Sequence, residues 1–166
     1  VSYGDIVYSA KLLKQVLNSA SDISVAVDME WENYWRTRNE NFLADAETLK
    51  LGNGNKIYEI GKKPKSLKEV DGQYIGLTKY SPKGIQTISN VYNQLKQSDS
   101  NGQKQYRQMY MTDLLQSVIE AGFEVNAVRV SEPWIEVDTV KDLSLDITRQ
   151  RALFISEELS RSENIL

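Results

Sequence analysis

Trp134-Ile135-Glu136-Val137-Asp138-Thr139 is a short strand-like run that breaks into a helix on an acid. Near the other end stands Val1-Ser2-Tyr3-Gly4-Asp5-Ile6-Val7-Tyr8, with Asp5 directly after a glycine. Working outward from the first stretch, strands and helices alternate. Ser9 can cap a helix whose apolar face is Leu12, Leu13, Val16 and Leu17. Ile23 to Asp28 reads as a buried strand, and Gln73 to Tyr80 and Phe123 to Val130 read as further strands. Gly52-Asn53-Gly54-Asn55 predicts a turn joining Thr48–Leu51 to Lys56–Ile60 as a hairpin.

Ile85, Ile88, Val91, Tyr92 and Leu95 recur at helical spacing. Thr112 is placed to cap a helix through Leu114, Leu115, Val118 and Ile119, stopped by Gly122. A last helix, started by Asp138 or Thr139, carries Leu143, Ile147, Leu153, Phe154 and Ile155. Trp31 to Asp45 shows no clean period and reads as a loop, as does the Ser-, Asn- and Gln-rich run from Gln97 to Gln105. The pattern predicts an α/β fold in one domain over residues 1–166, with a mixed, mostly parallel sheet flanked by helices.

Composition narrows the chemistry. The chain has 166 residues, 40% apolar and 26% charged, with net charge −3 from 20 basic and 23 acidic residues. That balance gives no electrostatic footprint for a nucleic-acid polymer or an anionic membrane surface. There is no cysteine and no histidine. Disulfides, thiolate metal sites, Ser-His-Asp hydrolysis and the usual zinc sites each lose a required part. Any metal must be oxygen-ligated. No apolar run approaches membrane-spanning length, the first residues lack signal-peptide character, and the expected location is the cytoplasm.

Five short motifs in order resemble the nucleotidyltransferases that activate sugar phosphates and phosphocholine. They are Tyr3-Gly4-Asp5-Ile6-Val7-Tyr8, Ile60-Gly61-Lys62-Lys63-Pro64, Ile75-Gly76-Leu77 with Tyr80-Ser81-Pro82, Met111-Thr112-Asp113-Leu114-Leu115, and Trp134 to Thr139. The resemblance covers about residues 1–145 and is closest to cytidylyltransferases of the phosphocholine and aminoethylphosphonate type. Where that family has Glu-Lys-Pro, this chain has Lys62-Lys63-Pro64. The resemblance is to the C-terminal portion of such an enzyme, a Rossmann-like fold without its N-terminal nucleotide-binding strands. The glycine-rich turn and Pro-Lys that cradle the nucleotide are expected from outside these residues. An exposed apolar sheet edge, and with it a homodimer or association with the N-terminal part, is the corresponding expectation.

The resemblance implies transfer of a nucleotidyl group, CMP from CTP in the nearest variant, to a phosphorylated small molecule such as a sugar phosphate, phosphocholine or aminoethylphosphonate. It implies Mg²⁺ on Asp5 and Asp138, with Lys63 as a third catalytic residue and Lys62 beside it meeting the acceptor phosphate. Mg²⁺ needs only one or two carboxylates and keeps several waters. Read by themselves, Asp5 also suits a Gly-Asp turn, Asp138 a helix N-cap, and Lys62 and Lys63 a solvated charge run with Lys65 and Lys68. Glu136 shares a strand face with Asp138 and is a candidate acceptor-binding group, as is Gly76. Trp31 and Trp35 suit either a cation–π pocket for an ammonium or a core anchor, and Arg36 and Arg38 could meet an anionic acceptor. Asp113 is more simply a cap. A non-catalytic binding domain that keeps the scaffold is the alternative.

Overall fold

A computed structural model of the chain describes residues 1–98, 108–131 and 133–163. A five-stranded sheet runs in the order β3 (Leu49–Leu51), β4 (Lys56–Ile60), β6 (Val125–Val130), β2 (Ile23–Asp28), β5 (Gln73–Tyr80). A separate two-stranded ladder pairs β1 (Ile6–Tyr8) with β7 (Trp134–Glu136). The expected mixed sheet flanked by helices is present. The expectation that it is mostly parallel is corrected: β2–β6 is parallel, whereas β2–β5, β3–β4 and β4–β6 are antiparallel. The β3–β4 turn is too short for a crossover, which forces the antiparallel choice there.

Strand β2 is buried along its whole length, as its near-continuous apolar run predicts for a strand covered on both faces. Ile23, Val25 and Val27 join a core with Val91 of α4 (Pro82–Ser98) and Leu115 and Val118 of α5 (Met111–Glu120). Ala26 faces a second core with Leu12 and Val16 of α1 (Ala10–Leu17) and Trp31, Tyr34 and Trp35 of α2 (Trp31–Arg38). At the strand's end the buried Asp28 carboxylate accepts from the Trp134 indole N–H at 2.8 Å and the Glu30 N–H at 2.7 Å. Burial pushes its carboxyl above the usual range, and these two donors oppose the shift. The contact ties β7 to the central sheet.

Several local expectations are corrected. Trp31 to Asp45 is not a loop but α2 followed by the short α3 (Phe42–Asp45). Helix α5 is preceded by Tyr110, whose N–H donates to Asp113 at 2.9 Å, and Thr112 lies buried inside the first turn. After β7 the chain forms α6 (Val140–Ser144) and then α7 (Asp146–Glu163), separated by an extended Leu145. On that pair Ile155 is buried, whereas Leu143, Leu153 and Phe154 are exposed. Helix α4 continues through Gln97 and Ser98, and residues 99–105 of the expected loop lie outside the described residues. The free edge of β5 is partly covered by the chain's own first residues: Tyr3 N–H donates to Gly76 O, and Thr78 N–H donates to Val1 O. Among the described residues no helix is long and apolar enough to cross a membrane.

Candidate functional site

The β1–β7 ladder brings the two end acids together. Ile6 pairs with Glu136, and Val137 N–H donates to the Asp5 carbonyl at 2.9 Å, so Asp5 and Asp138 leave the same end of the ladder. Asp138 is not the cap of α6. Thr139 is, with its hydroxyl accepting from Asp142 N–H. Asp142 returns the interaction, accepting from Asp138 N–H at 3.1 Å and Thr139 N–H at 2.8 Å. This is the reciprocal capping box.

Arg38, at the end of α2, lies between these acids. Its Nη2 donates to Asp138 Oδ2 at 2.5 Å, its Nε to Asp142 Oδ1 at 3.2 Å, and its Nη1 to Glu136 Oε2. Burial works against the guanidinium charge, but the Glu136 hydrogen bond and charge outweigh it and raise its proton affinity. Glu136 is pushed above the ordinary glutamate range by burial. The Asp138 and Asp5 charges act in the same direction, and Arg38 opposes them. Both end acids are therefore felt at one carboxylate.

Beside Asp138 opens a cavity of about 210 Å³. Asp45, Glu47, Glu136 and Asp138 supply carboxylates to its wall; Tyr3, Trp35, Tyr74 and Tyr110 supply rings; Gln73 and Thr112 complete it. Among the described residues no lysine or arginine lines it. Gln73 fixes one side, donating to Glu47 O at 2.6 Å and accepting from Glu47 N–H at 3.3 Å. Tyr3 and Tyr74 meet edge-on at 5.6 Å.

The proposed site residues divide accordingly. Trp35 reaches the cavity, whereas Trp31 is core, edge-on to Trp35 at 6.1 Å and tilted against Phe42 at 6.3 Å. Lys63 is exposed, donates to Ala44 O, and lowers the proton affinity of Glu47 by its charge, which puts it beside the cavity's Asp45–Glu47 side. Lys62 is taken up by Glu59 at 2.9 Å. Gly76 carries no side chain to the cavity and supports Tyr3, as its positive φ of 79° and close contact with that ring show.

Over 149 residues the chain is 36% identical to the CTP:phosphoglutamine cytidylyltransferase of Campylobacter jejuni, a match covering 90% of this chain and 58% of the relative. The chain is related to the nucleotidyltransferases. Two solved structures share the fold of this chain. A Bacillus anthracis protein assigned as a glucose-1-phosphate thymidylyltransferase matches with TM-score 0.58 and 18% identity, over 92% of this chain and 52% of that one. A nucleoside-diphosphate-sugar pyrophosphorylase from Vibrio cholerae matches with TM-score 0.51 and 15% identity, over 87% and 53%. No protein-family model matches the chain. The chain thus spans little more than half the length of the proteins it matches, as resemblance to one portion of such an enzyme leads one to expect.

Asp5 and Asp138 offer carboxylate oxygens, the donor type a hard cation takes. Asp138 meets Arg38 through Oδ2, so Oδ1 stands outside that contact. A two-carboxylate Mg²⁺ site fits these residues, and among the described residues no group of three or more such ligands forms. Sequence reading did not single out Glu47, Gln73 and the tyrosines as site residues, although Tyr3 stands in the first of the five motifs. Asp142 had a signal, since it stands three residues after Thr139 at the capping-box spacing.

Glu47 gives a pH test. Burial pushes its carboxyl above the ordinary value of 4.5, and a hydrogen bond with Thr112 opposes the shift. A raised native value means that its contribution to stability is full below pH 4.5 and is lost as pH rises through the native value. Glu47→Gln, which does not titrate, should raise Tm at pH 7, and the gain should vanish below pH 4.5. Thermal melts at both pH values check this; a pH-independent difference would contradict it.

Proposed function

We propose that this chain supplies the metal- and acceptor-binding part of a cytidylyltransferase that moves CMP from CTP to a phosphorylated small molecule carrying an ammonium group. The observation that carries the acceptor class is the cavity, whose wall holds carboxylates and aromatic rings and, among the described residues, no lysine or arginine. An ammonium suits both, through ion pairing and cation–π attraction. The Campylobacter relative, named for CTP and phosphoglutamine, supports the nucleotide and the phosphorylated acceptor. Segments outside this chain would hold the CTP phosphates.

In this reaction an acceptor phosphate oxygen attacks the α-phosphorus of CTP, forming a new P–O bond. The bond to the β-phosphate breaks and pyrophosphate leaves. The nucleophile is already an anion, so these residues are asked for alignment and charge balance, not for a general base. Asp5 and Asp138 would hold Mg²⁺, which when bound lowers the repulsion between the two anionic reactants. Trp35, Glu47 and the tyrosines hold the ammonium end. Lys63, at the Glu47 side, meets the acceptor phosphate.

Pyrophosphate release by the full-length protein with CTP and Mg²⁺ tests this. Phosphocholine, aminoethylphosphonate and phosphoglutamine should exceed glucose 1-phosphate in kcat/KM by roughly tenfold or more, one desolvated cation–π or charge contact being worth about 2 kcal/mol. A preference for the neutral sugar phosphate would remove the acceptor assignment, and no turnover with any of them would remove the activity.

A further inference from the structure

We infer that Arg38 is the positioning residue of the acid end, holding the Glu136 and Asp138 carboxylates in place while contacting no substrate itself; this rests on the function proposed above. Its side chain is 3% exposed, and Nε, Nη1 and Nη2 each go to a different carboxylate. Three of its five N–H groups go to these carboxylates, and burial of the side chain keeps the other two away from a phosphate in solvent. The role of anion binder is therefore closed to Arg38, whereas Arg36 lies exposed and paired with Glu32 at 2.6 Å.

The grip on β7 extends to its backbone. Strand β7 has β1 on one side, and on the other its Glu136 peptide is satisfied by a side chain. Glu136 N–H donates to Tyr34 Oη at 3.0 Å, and Tyr34 O–H donates to Glu136 O at 3.4 Å. Tyr34 and Arg38 are four apart on α2, so one helical face holds both the main chain and the carboxylate of Glu136. Behind them the Arg151 guanidinium sits 3.9 Å over the Tyr34 ring, with Nη1 donating to Trp134 O at 2.8 Å. Strand β7 is thereby held at its first residue by Arg151 and at its last by Tyr34 and Arg38.

Electrostatics explains why the grip has to be an arginine. The Glu136, Asp138 and Asp142 carboxylates converge on one guanidinium, and like charges brought that close repel unless a cation lies between them. A fork with three donor directions can separate and neutralise two of these acids and brace both against Asp142. A lysine ammonium supplies the charge without that geometry. With Arg38 in place, Asp138 is held through Oδ2 and its Oδ1 stays outside the contact; without it, the like-charged carboxylates would turn apart.

Arg38→Lys in the full-length protein, with Tyr34→Phe as a milder second variant, tests the inference. Mn²⁺ binding followed by electron paramagnetic resonance without nucleotide should weaken 10- to 100-fold in Arg38→Lys, the usual range for losing an outer-sphere partner. The kcat should fall by a similar factor, with the acceptor KM within about threefold of wild type. Adding Arg38→Lys to Asp138→Asn should cost less than it does alone, since the two act through one carboxylate. A raised acceptor KM with unchanged kcat would make Arg38 a substrate contact and overturn the inference. So would a lower Tm with unchanged Mn²⁺ affinity and kcat in the folded fraction. If the wild type neither binds Mn²⁺ nor turns over, it is the proposed function that fails, and the inference with it.

Discussion

Asp138→Asn is expected to lower kcat/KM for pyrophosphate release by about 10²- to 10³-fold, the scale of removing one charge-stabilising group from a reacting centre. Asparagine keeps the shape, and its side-chain carbonyl can still accept from Arg38, so the loss falls on charge. Stability should barely change. The Asp138 side chain is 49% exposed, and the buried Arg38 keeps Glu136 and Asp142 as partners when the Asp138 charge is removed. Asp5→Asn should behave alike, because both acids leave the same end of the β1–β7 ladder. Steady-state kinetics with titrated Mg²⁺ and isothermal titration of Mg²⁺ separate the terms. Both variants should need more Mg²⁺, and an activity within threefold of wild type in both would sink the metal assignment.

How far the site could be read from residues alone depends on which interactions made it. The ladder acids were legible because strand ends, a preceding glycine and a following helix start leave local marks. So were the β3–β4 hairpin, whose turn residues are explicit, and β2, whose apolar run is nearly unbroken. Helix α2 was hidden by one residue. Trp31, Tyr34, Trp35 and Arg38 are its buried set, at helical spacing, but counting Arg38 as polar erases the period. The same residue was passed over as a positioning group, because its partners lie about a hundred positions away. Nothing local announces such a pairing. Glu47 and Gln73 are alike in this: each becomes part of the cavity only when β5 is laid beside the segment leading to β3. The sheet's excess of antiparallel pairs was equally invisible, since strand direction follows from the order of strands in space. The aromatic pair split for a packing reason. Trp31 sits at the start of α2 against Phe42, whereas Trp35, one turn on, comes to the cavity wall beside Tyr34 and Trp134.

Gly76→Val should be the most damaging single change to stability near the site, at about 3 kcal/mol in urea denaturation. Two costs add. Gly76 sits at φ 79°, where a β-branched residue is strongly disfavoured. A Cβ there would also lie 2.6 Å from Tyr3 Cδ2 and 2.9 Å from Tyr3 Cβ. The position cannot relax easily, because the β2–β5 register shifts between Val25 and Val27 and Gly76 lies in that irregular stretch of β5. Its carbonyl also holds Tyr3 N–H at 2.9 Å. The two costs can be separated. Gly54→Ala, at φ 68° with nothing within 4 Å, carries the conformational cost alone and should lose about 1–2 kcal/mol. Gly76→Ala should lose more than that, and adding Tyr3→Ala should return part of the excess, since removing the ring opens the space. Any Gly76 variant that folds should also raise the acceptor KM, because the displaced Tyr3 is a wall of the cavity. If Gly76→Ala costs no more than Gly54→Ala and leaves that KM unchanged, the glycine is there for its backbone conformation alone and does not seat Tyr3.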